Sequence, residues 1–157
     1  LYGMRQIGLR FFTVYGPWGR PDMAYWGFSD AILNGRSIKV FNHGKLRRDF
    51  TYIDDIVEGI IRIATTSPNF EDDNIPHKVY NIGNNRPIEL MEFITTLEGA
   101  LNQKAVLEMC EMQKGDVYET SADINALQSD YEFAPNTPLE HGLKEFANWY
   151  KNYGAKA

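Results

Sequence analysis

One cysteine, Cys110, stands in the 157-residue chain, so neither an internal disulfide nor a cysteine cluster for a metal can form, and the composition suits a reducing compartment. The three histidines, His43, His77 and His141, are scattered without ligand spacing, and they add no metal set. No apolar run approaches the length that crosses a bilayer, and the first residues lack the charged and apolar regions of a secretory leader. Positive charge is also short. Sixteen Lys and Arg (16) stand against 21 Asp and Glu, and the net charge of −5 argues against general nucleic-acid affinity, although Lys45, Arg47 and Arg48 form a local basic cluster. No G-x-G-x-x-G occurs, so the glycine-rich turn that cradles a pyrophosphate is missing from this sequence. Repeats and low-complexity stretches are missing too. What is there, 43% hydrophobic and 13% aromatic residues, is enough at this length for one ordinary globular core.

The richest stretch is Leu9 to Ala24, LRFFTVYGPWGRPDMA. Leu9, Arg10, Phe11 and Phe12 read as a strand buried on both faces. Thr13 offers a hydroxyl where that strand ends, and Gly16, Pro17, Gly19 and Pro21 then force an irregular loop around Arg20. Ligands gather beside the carboxyl ends of strands in open α/β sheets, so a hydroxyl followed by a guanidinium is a candidate anion site. A solvated turn arginine is the competing reading.

Around this stretch the periodicity alternates between strand and helix, which gives an α/β class. Leu1–Met4 reads as the tail of a helix. Ala24–Asn34 reads as a helix capped by Asp22 and stopped by Gly35, its aromatic residues belonging to the core. Ser37–Phe41 is a strand with Ile38 and Val40 on one face, and Asn42, His43 and Gly44 turn into Lys45–Tyr52. Ile53–Ala64 is the clearest helix, with Ile53, Ile56, Val57, Ile60, Ile61 and Ala64 on one face and Asp54 and Asp55 complementing the dipole of its first turn. Thr65–His77 is a polar surface excursion and Val79–Ile82 a strand. After a loop at 83–86, Pro87 opens a helix that buries Leu90, Phe93, Ile94, Leu97 and Leu101. Ala105–Met112 is an edge strand and Asp123–Gln128 a short helix. A closing helix is signalled by Thr137, Pro138 and Glu140 and buries Leu139, Leu143, Phe146 and Tyr150.

Four blocks in order carry a resemblance: FFTVYGP with GRPDM, RRDFTYIDDIVEGI at Arg47–Ile60, VYNIGNNRPIEL at Val79–Leu90 and QKGDVYETSAD at Gln113–Asp123. Together they resemble the extended short-chain dehydrogenase/reductases of the NAD-dependent epimerase/dehydratase family, and within it the UDP-glucuronate 4-epimerases. The resemblance implies the C-terminal part of an NAD(P)-binding Rossmann-like fold plus its small α/β substrate lobe, with residues 1–157 as the substrate-binding portion. It implies that Phe12 and Val14 lie near the nicotinamide, that Thr13 and Arg20 hold the C5 carboxylate of the sugar, and that backbone near Val40 and Phe41 meets the uracil. Arg48 is implied at the diphosphate, which a planar guanidinium grips with paired hydrogen bonds, and Asp116 at the ribose, whose hydroxyls donate to a carboxylate. Gln113 stands where many related epimerases carry arginine, a feature similar to the uronate group.

The implied activity is inversion at C4 of UDP-glucuronate to UDP-galacturonate through a 4-keto sugar, with NAD taking and returning the hydride. Holding the carboxylate also guards a β-keto acid against decarboxylation. A UDP-glucose 4-epimerase, a UDP-glucuronate decarboxylase and a non-catalytic nucleotide-sugar-binding module are the alternatives. No tyrosine here is followed four residues later by lysine, so the family's Tyr-x-x-x-Lys base has no counterpart and the chain holds no catalytic residue. With its start at Leu1, the chain is expected to be a fragment that is inactive alone. The resemblance implies a UDP-sugar partner, a homodimeric parent, no nucleic acid or membrane, and a cytoplasmic, bacterial cell-surface polysaccharide setting. Apolar surface bared by the missing half is expected to drive self-association.

Overall fold

The computed structural model describes residues 4–66 and 77–154. Among the described residues seven strands fall into three small sheets, and five α-helices cover them. Strand β1 (Gln6–Phe11) pairs in parallel with β5 (His77–Ile82). Strand β2 (Thr13–Tyr15) leaves that sheet and pairs in parallel with β4 (Arg47–Tyr52), which also pairs antiparallel with β6 (Pro87–Glu89). Strand β3 (Ser37–Val40) pairs in parallel with β7 (Val106–Met109). The helices are α1 (Ala24–Leu33), α2 (Ile53–Thr65), α3 (Leu90–Leu101), α4 (Asn125–Tyr131) and α5 (Leu139–Asn152).

The chain changes sheets at Phe12, whose N–H still bonds to the Ile82 carbonyl at 3.2 Å. That switch corrects the expectation of one strand buried on both faces. Among the described residues β1 has a partner on one side only, and Phe11 is 52% exposed. Thr13 accordingly begins a second strand instead of ending the first.

Two cores result. Tyr15, Phe50, Phe93, Tyr25, Phe146, Leu97 and Leu143 form the first, where α1, α3 and α5 meet the β2–β4 pair. Its rings meet mostly edge to face, Tyr25 on Phe146 at 4.9 Å, while Phe50 stacks on Phe93 at 4.1 Å, so quadrupole geometry adds to burial. Ile56, Tyr80, Ile82, Leu127 and Phe133 form the second, between α2, α4 and β5. Only part of the α2 stripe is covered there. Ile56 and Gly59 are buried, Gly59 because a Cβ would stand 2.8 Å from the Phe133 ring, whereas Val57, Ile60 and Ile61 are exposed.

Four helix starts differ from expectation. Met23, not Asp22, precedes α1, and the Asp22 carboxylate instead accepts from Arg20. Pro87 lies in β6 because the Leu90 N–H bonds to the Leu46 carbonyl at 2.8 Å, holding 87–89 extended along β4 until Leu90. Thr137 makes no side-chain cap for α5; its backbone N–H and that of Asn136 donate to Asp55, so this carboxylate ties α2 to the start of α5 beyond any role in its own helix dipole. The short helix runs over Asn125–Tyr131 rather than from Asp123. Of the expected helix tail, Leu1–Gly3 lies outside the described residues and Met4 is irregular. Of the expected surface excursion Thr65–His77, Thr65 ends α2 and His77 opens β5, and 67–76 lie outside the described residues. No described helix is long and apolar enough to cross a membrane.

Candidate functional site

Strand β4 sends alternate side chains to opposite faces, and this alternation sets out the site. Arg48 and Phe50 face one hollow, and Asp49 faces the other way into the protein. Asp49 is 0% exposed, and its carboxylate accepts the backbone N–H groups of Asn84 at 2.7 Å, Asn85 at 2.9 Å and Ala122 at 2.8 Å. A buried carboxylate is stable when its charge is met by such donors. One side chain thus gathers the 83–86 loop and the segment after Asp116 against β4. The Arg47 N–H bonds to the Tyr118 carbonyl at 2.9 Å and the Thr120 N–H to the Arg47 carbonyl at 3.2 Å, laying 118–120 along the strand.

The first hollow, about 300 Å³, is lined by Thr13, Phe41, Phe50, Lys39, Arg48 and Asp116. Apolar rings form its walls, and two cations and a single carboxylate stand at its edge. The Arg48 Nη2 donates to Asp116 Oδ1 at 2.6 Å, and its Nη1 donates to the carbonyls of Arg47 and Tyr118. Arg48 and Asp116, given separate roles by the sequence, are therefore an ion pair here.

The second hollow, a cleft of about 440 Å³, is lined by Phe12, Val14, Gly16, Arg20, Met23 and Tyr25, among others. Met23 and Tyr25 belong to both hollows and form the wall between them. Burial pushes the Tyr25 phenol up to about 12, with Arg20 opposing and Asp22 adding to the shift, so the hydroxyl stays neutral at ordinary pH and is a hydrogen-bonding group rather than a base. Arg20 is well exposed and donates to Asp22 Oδ2 at 2.9 Å.

The expected residues therefore divide. Phe12, Val14 and Arg20 share the cleft, and Thr13, Phe41, Arg48 and Asp116 share the smaller hollow. Thr13 and Arg20 are on opposite sides of the Met23–Tyr25 wall, as the period of two along 12–14 requires. Val40 is buried in the first core and its carbonyl accepts from the Cys110 N–H at 3.0 Å, so its side chain reaches neither hollow. Gln113 lines neither; its carbonyl accepts the Asp116 N–H at 3.1 Å and shapes the turn. Sequence reasoning missed Lys39, which the inward phase of Ile38 and Val40 on β3, leaving Lys39 outward, could have revealed. It took Tyr25 for core alone, and it missed Asp49, whose donors lie far away in the chain.

Comparison with known proteins gives the chain's relatives. A family model described as NAD dependent epimerase/dehydratase family matches residues 1–83. Protein CapI of Staphylococcus aureus is 47% identical over 99% of this chain and 50% of its own length. A probable UDP-glucuronate 4-epimerase of Rhizobium meliloti (strain 1021) is 43% identical over 98% of this chain and 49% of its own. The crystal structure of UDP-glucuronic acid 4-epimerase from Bacillus cereus, in complex with UDP-glucuronic acid and NAD, superposes with a TM-score of 0.80 at 31% identity, over 92% of this chain and 44% of that one. The chain thus spans about half the length of the relatives it matches.

Proposed function

Because this chain belongs to the NAD dependent epimerase/dehydratase family, we propose that it forms the substrate-side half of a nucleotide-sugar 4-epimerase interconverting UDP-glucuronate and UDP-galacturonate. The observation that carries this reading is the pair of hollows sharing one wall, each with its own arginine. The smaller suits a uridine diphosphate: rings flank a base, and Arg48 and Lys39 face the phosphates. Val40 and Phe41 supply backbone near the base, and Gln113 holds the turn that presents Asp116. The cleft suits the sugar end, with Arg20 toward a carboxylate, while Thr13 faces the smaller hollow. A Bacillus cereus relative solved with UDP-glucuronic acid and NAD supports the same ligands.

Phe12 and Val14 give the cleft an apolar side that fits the flat nicotinamide end of NAD, and no glycine-rich turn in this sequence fits its pyrophosphate. When bound, NAD would supply a hydride acceptor at C4 and return the hydride to the opposite face of the 4-keto sugar. This chain's residues do the remaining work of binding and orientation. Arg48 anchors the diphosphate, so the sugar can turn about it, and Arg20 keeps the C5 carboxylate out of line for loss as carbon dioxide. Bacterial polysaccharide synthesis in the cytoplasm is the setting that fits such an activity. The bared face of α2 and β1, with Phe11, Val57, Ile60 and Ile61, makes the isolated chain self-associate; the intact parent is a homodimer in this reading.

Calorimetric titration of the 157-residue chain with UDP, UDP-glucuronate and UDP-glucose tests the assignment. Tighter binding of the glucuronate form than the glucose form, lost in Arg20→Ala, is expected. Equal affinity for all three would demote the glucuronate reading to a plain UDP site. Conversion of UDP-glucuronate by this chain with added NAD would contradict the assignment of the base to another segment.

A further inference from the structure

Trp18 is 80% exposed, and its backbone stands at φ +62°, in the left-handed region that a bulky residue adopts only under constraint. Its ring nevertheless has fixed neighbours. It lies 5.3 Å from the Trp149 ring and 6.4 Å from the Tyr153 ring, nearly parallel to the latter at 30°, both at the C-terminal end of α5. Trp149 is itself set edge-on against Trp26 of α1 at 5.4 Å. The glycines on either side are pressed onto the core: a Cβ at Gly19 would stand 1.8 Å from the Tyr25 hydroxyl, and one at Gly16 2.5 Å from Ile53. The loop is therefore seated at both glycines and hooked over α5 between them, and Arg20 follows directly. A strained residue persists only where it is over-determined, and here the constraints are the seated glycines and the two ring contacts.

We infer that Trp18, held by Trp149 and Tyr153, is the positioning residue that sets where Arg20 presents its guanidinium, and thereby sets the discrimination between a uronate and a neutral hexose. The inference rests on the reading that Arg20 meets the sugar carboxylate. Paired hydrogen bonds between guanidinium and carboxylate depend steeply on orientation, whereas a neutral hydroxymethyl group draws little from the same cation. Arg20 also has a competing partner, Asp22 at 2.9 Å. A loop released from α5 leaves Arg20 free to stay with Asp22, so the uronate loses affinity and the hexose does not.

The test uses the 157-residue chain and its Trp18→Gly, Trp18→Phe and Trp149→Ala variants. Glycine accepts the left-handed backbone without strain, so Trp18→Gly removes the ring while relieving the fold. Trp18 itself lines the cleft, whereas Trp149 lines neither hollow, so the Trp149 variant reaches Arg20 through packing only, and Trp18→Gly separates the Trp18 ring from Trp149's other contacts with Trp26 and Phe146. Hydrogen exchange of the peptide spanning 16–22 is expected to rise about tenfold in Trp18→Gly and Trp149→Ala, with α3 protection unchanged and Trp18→Phe like the parent. The affinity ratio of UDP-glucuronate to UDP-glucose is expected to fall about tenfold in the same two variants, with UDP-glucose binding held within about twofold. Unmoved exchange, or an unmoved ratio in a folded Trp149→Ala chain, overturns the inference. A parent chain that binds UDP without preferring UDP-glucuronate, and that Arg20→Ala leaves unchanged, marks instead the failure of the Arg20 reading, which the exchange result reports separately from the hook.

Discussion

The two cores of this chain are closed to different degrees. Around Tyr15, Phe93 and Phe146, three helices and the β2–β4 pair cover one another, and the small hollow with Arg48 is complete within that region. Around Ile82 and Phe133, α2 keeps Val57, Ile60 and Ile61 in solvent and β1 keeps Phe11 there. The cleft lies at the seam, walled by the closed region through Tyr25 and by the end of β1 through Phe11 and Phe12. The difference teaches where binding can stand alone. The smaller hollow, proposed for the nucleotide, is lined from the closed region, whereas the side of the cleft that Phe12 and Val14 provide is continuous with the open face.

The largest expected effect breaks the comparison if it fails. Phe146 is 0% exposed and touches Tyr25, Trp149 and Tyr150, so Phe146→Ala is expected to cost about 3–5 kcal/mol in urea denaturation. The solvent-facing Ile61→Ala should stay within about 0.5 kcal/mol. Similar losses from both, in a chain dilute enough to be monomeric, would mean that the α2 face is covered within the chain.

Next in size is Asp49→Ala, which leaves the N–H groups of Asn84, Asn85 and Ala122 without their acceptor. A loss of about 3 kcal/mol or more is expected, since each stranded buried donor costs about 1–3 kcal/mol. UDP affinity should fall with it, because Asp116 sits on the segment that Asp49 anchors. A folded Asp49→Ala chain with parental stability and UDP affinity would show that the segment is held by the 118–120 contacts with Arg47 alone.

These two positions also mark what could be read in the sequence. Phe146 was legible, because Leu139, Leu143, Phe146 and Tyr150 repeat at helical spacing and that period survives packing. The same period in α2 was legible as a helix but not as an uncovered one, since a sequence pattern shows which face is apolar and not what covers it. Asp49 was illegible: its partners are main-chain groups 35 to 73 residues away, and backbone donors leave no mark on side-chain identity. Pro87 misled for a related reason. Proline before an apolar run reads as a first helical position, but strand pairing with β4, a non-local contact, kept it extended. Among site residues, the alternation of Phe12, Thr13 and Val14 was visible, and its consequence, opposite sides of one wall, needed the sheet switch at Phe12.

A third effect sharpens the contrast at little cost in stability. Ile60→Ser with Ile61→Ser is expected to turn a concentration-dependent sedimentation profile into that of a monomer, while the denaturation midpoint moves little. Persistence of the larger species in the double variant would place the self-contact on another surface.

The smallest effect concerns charge in the open region. Lys78 on β5 donates to Asp130 Oδ2 of α4 at 2.5 Å, and the Tyr80 hydroxyl donates to the same oxygen at 2.5 Å. The Lys78 bond first, and the Tyr80 bond after it, hold the Asp130 carboxyl below its ordinary 3.8. A carboxyl depressed in the folded state adds stability above its unfolded value and loses it as the pH falls through the folded one, so β5 and α4 should loosen below about pH 4. Burial, followed by the bond to Asp130, pushes the Tyr80 phenol up to about 12, so its contribution is full below pH 10 and disappears as the pH climbs toward 12. The Lys78 side chain is 41% exposed, and solvent screening keeps the acid term to about 1 kcal/mol or less. Asp130→Asn is expected to flatten the acid limb of Tm against pH and to leave hydrogen-exchange protection of α3 and α5 unchanged. An acid limb as steep in Asp130→Asn as in the parent would move the pH sensitivity out of the open region, and with it the idea that charge there supplements an incomplete apolar cover.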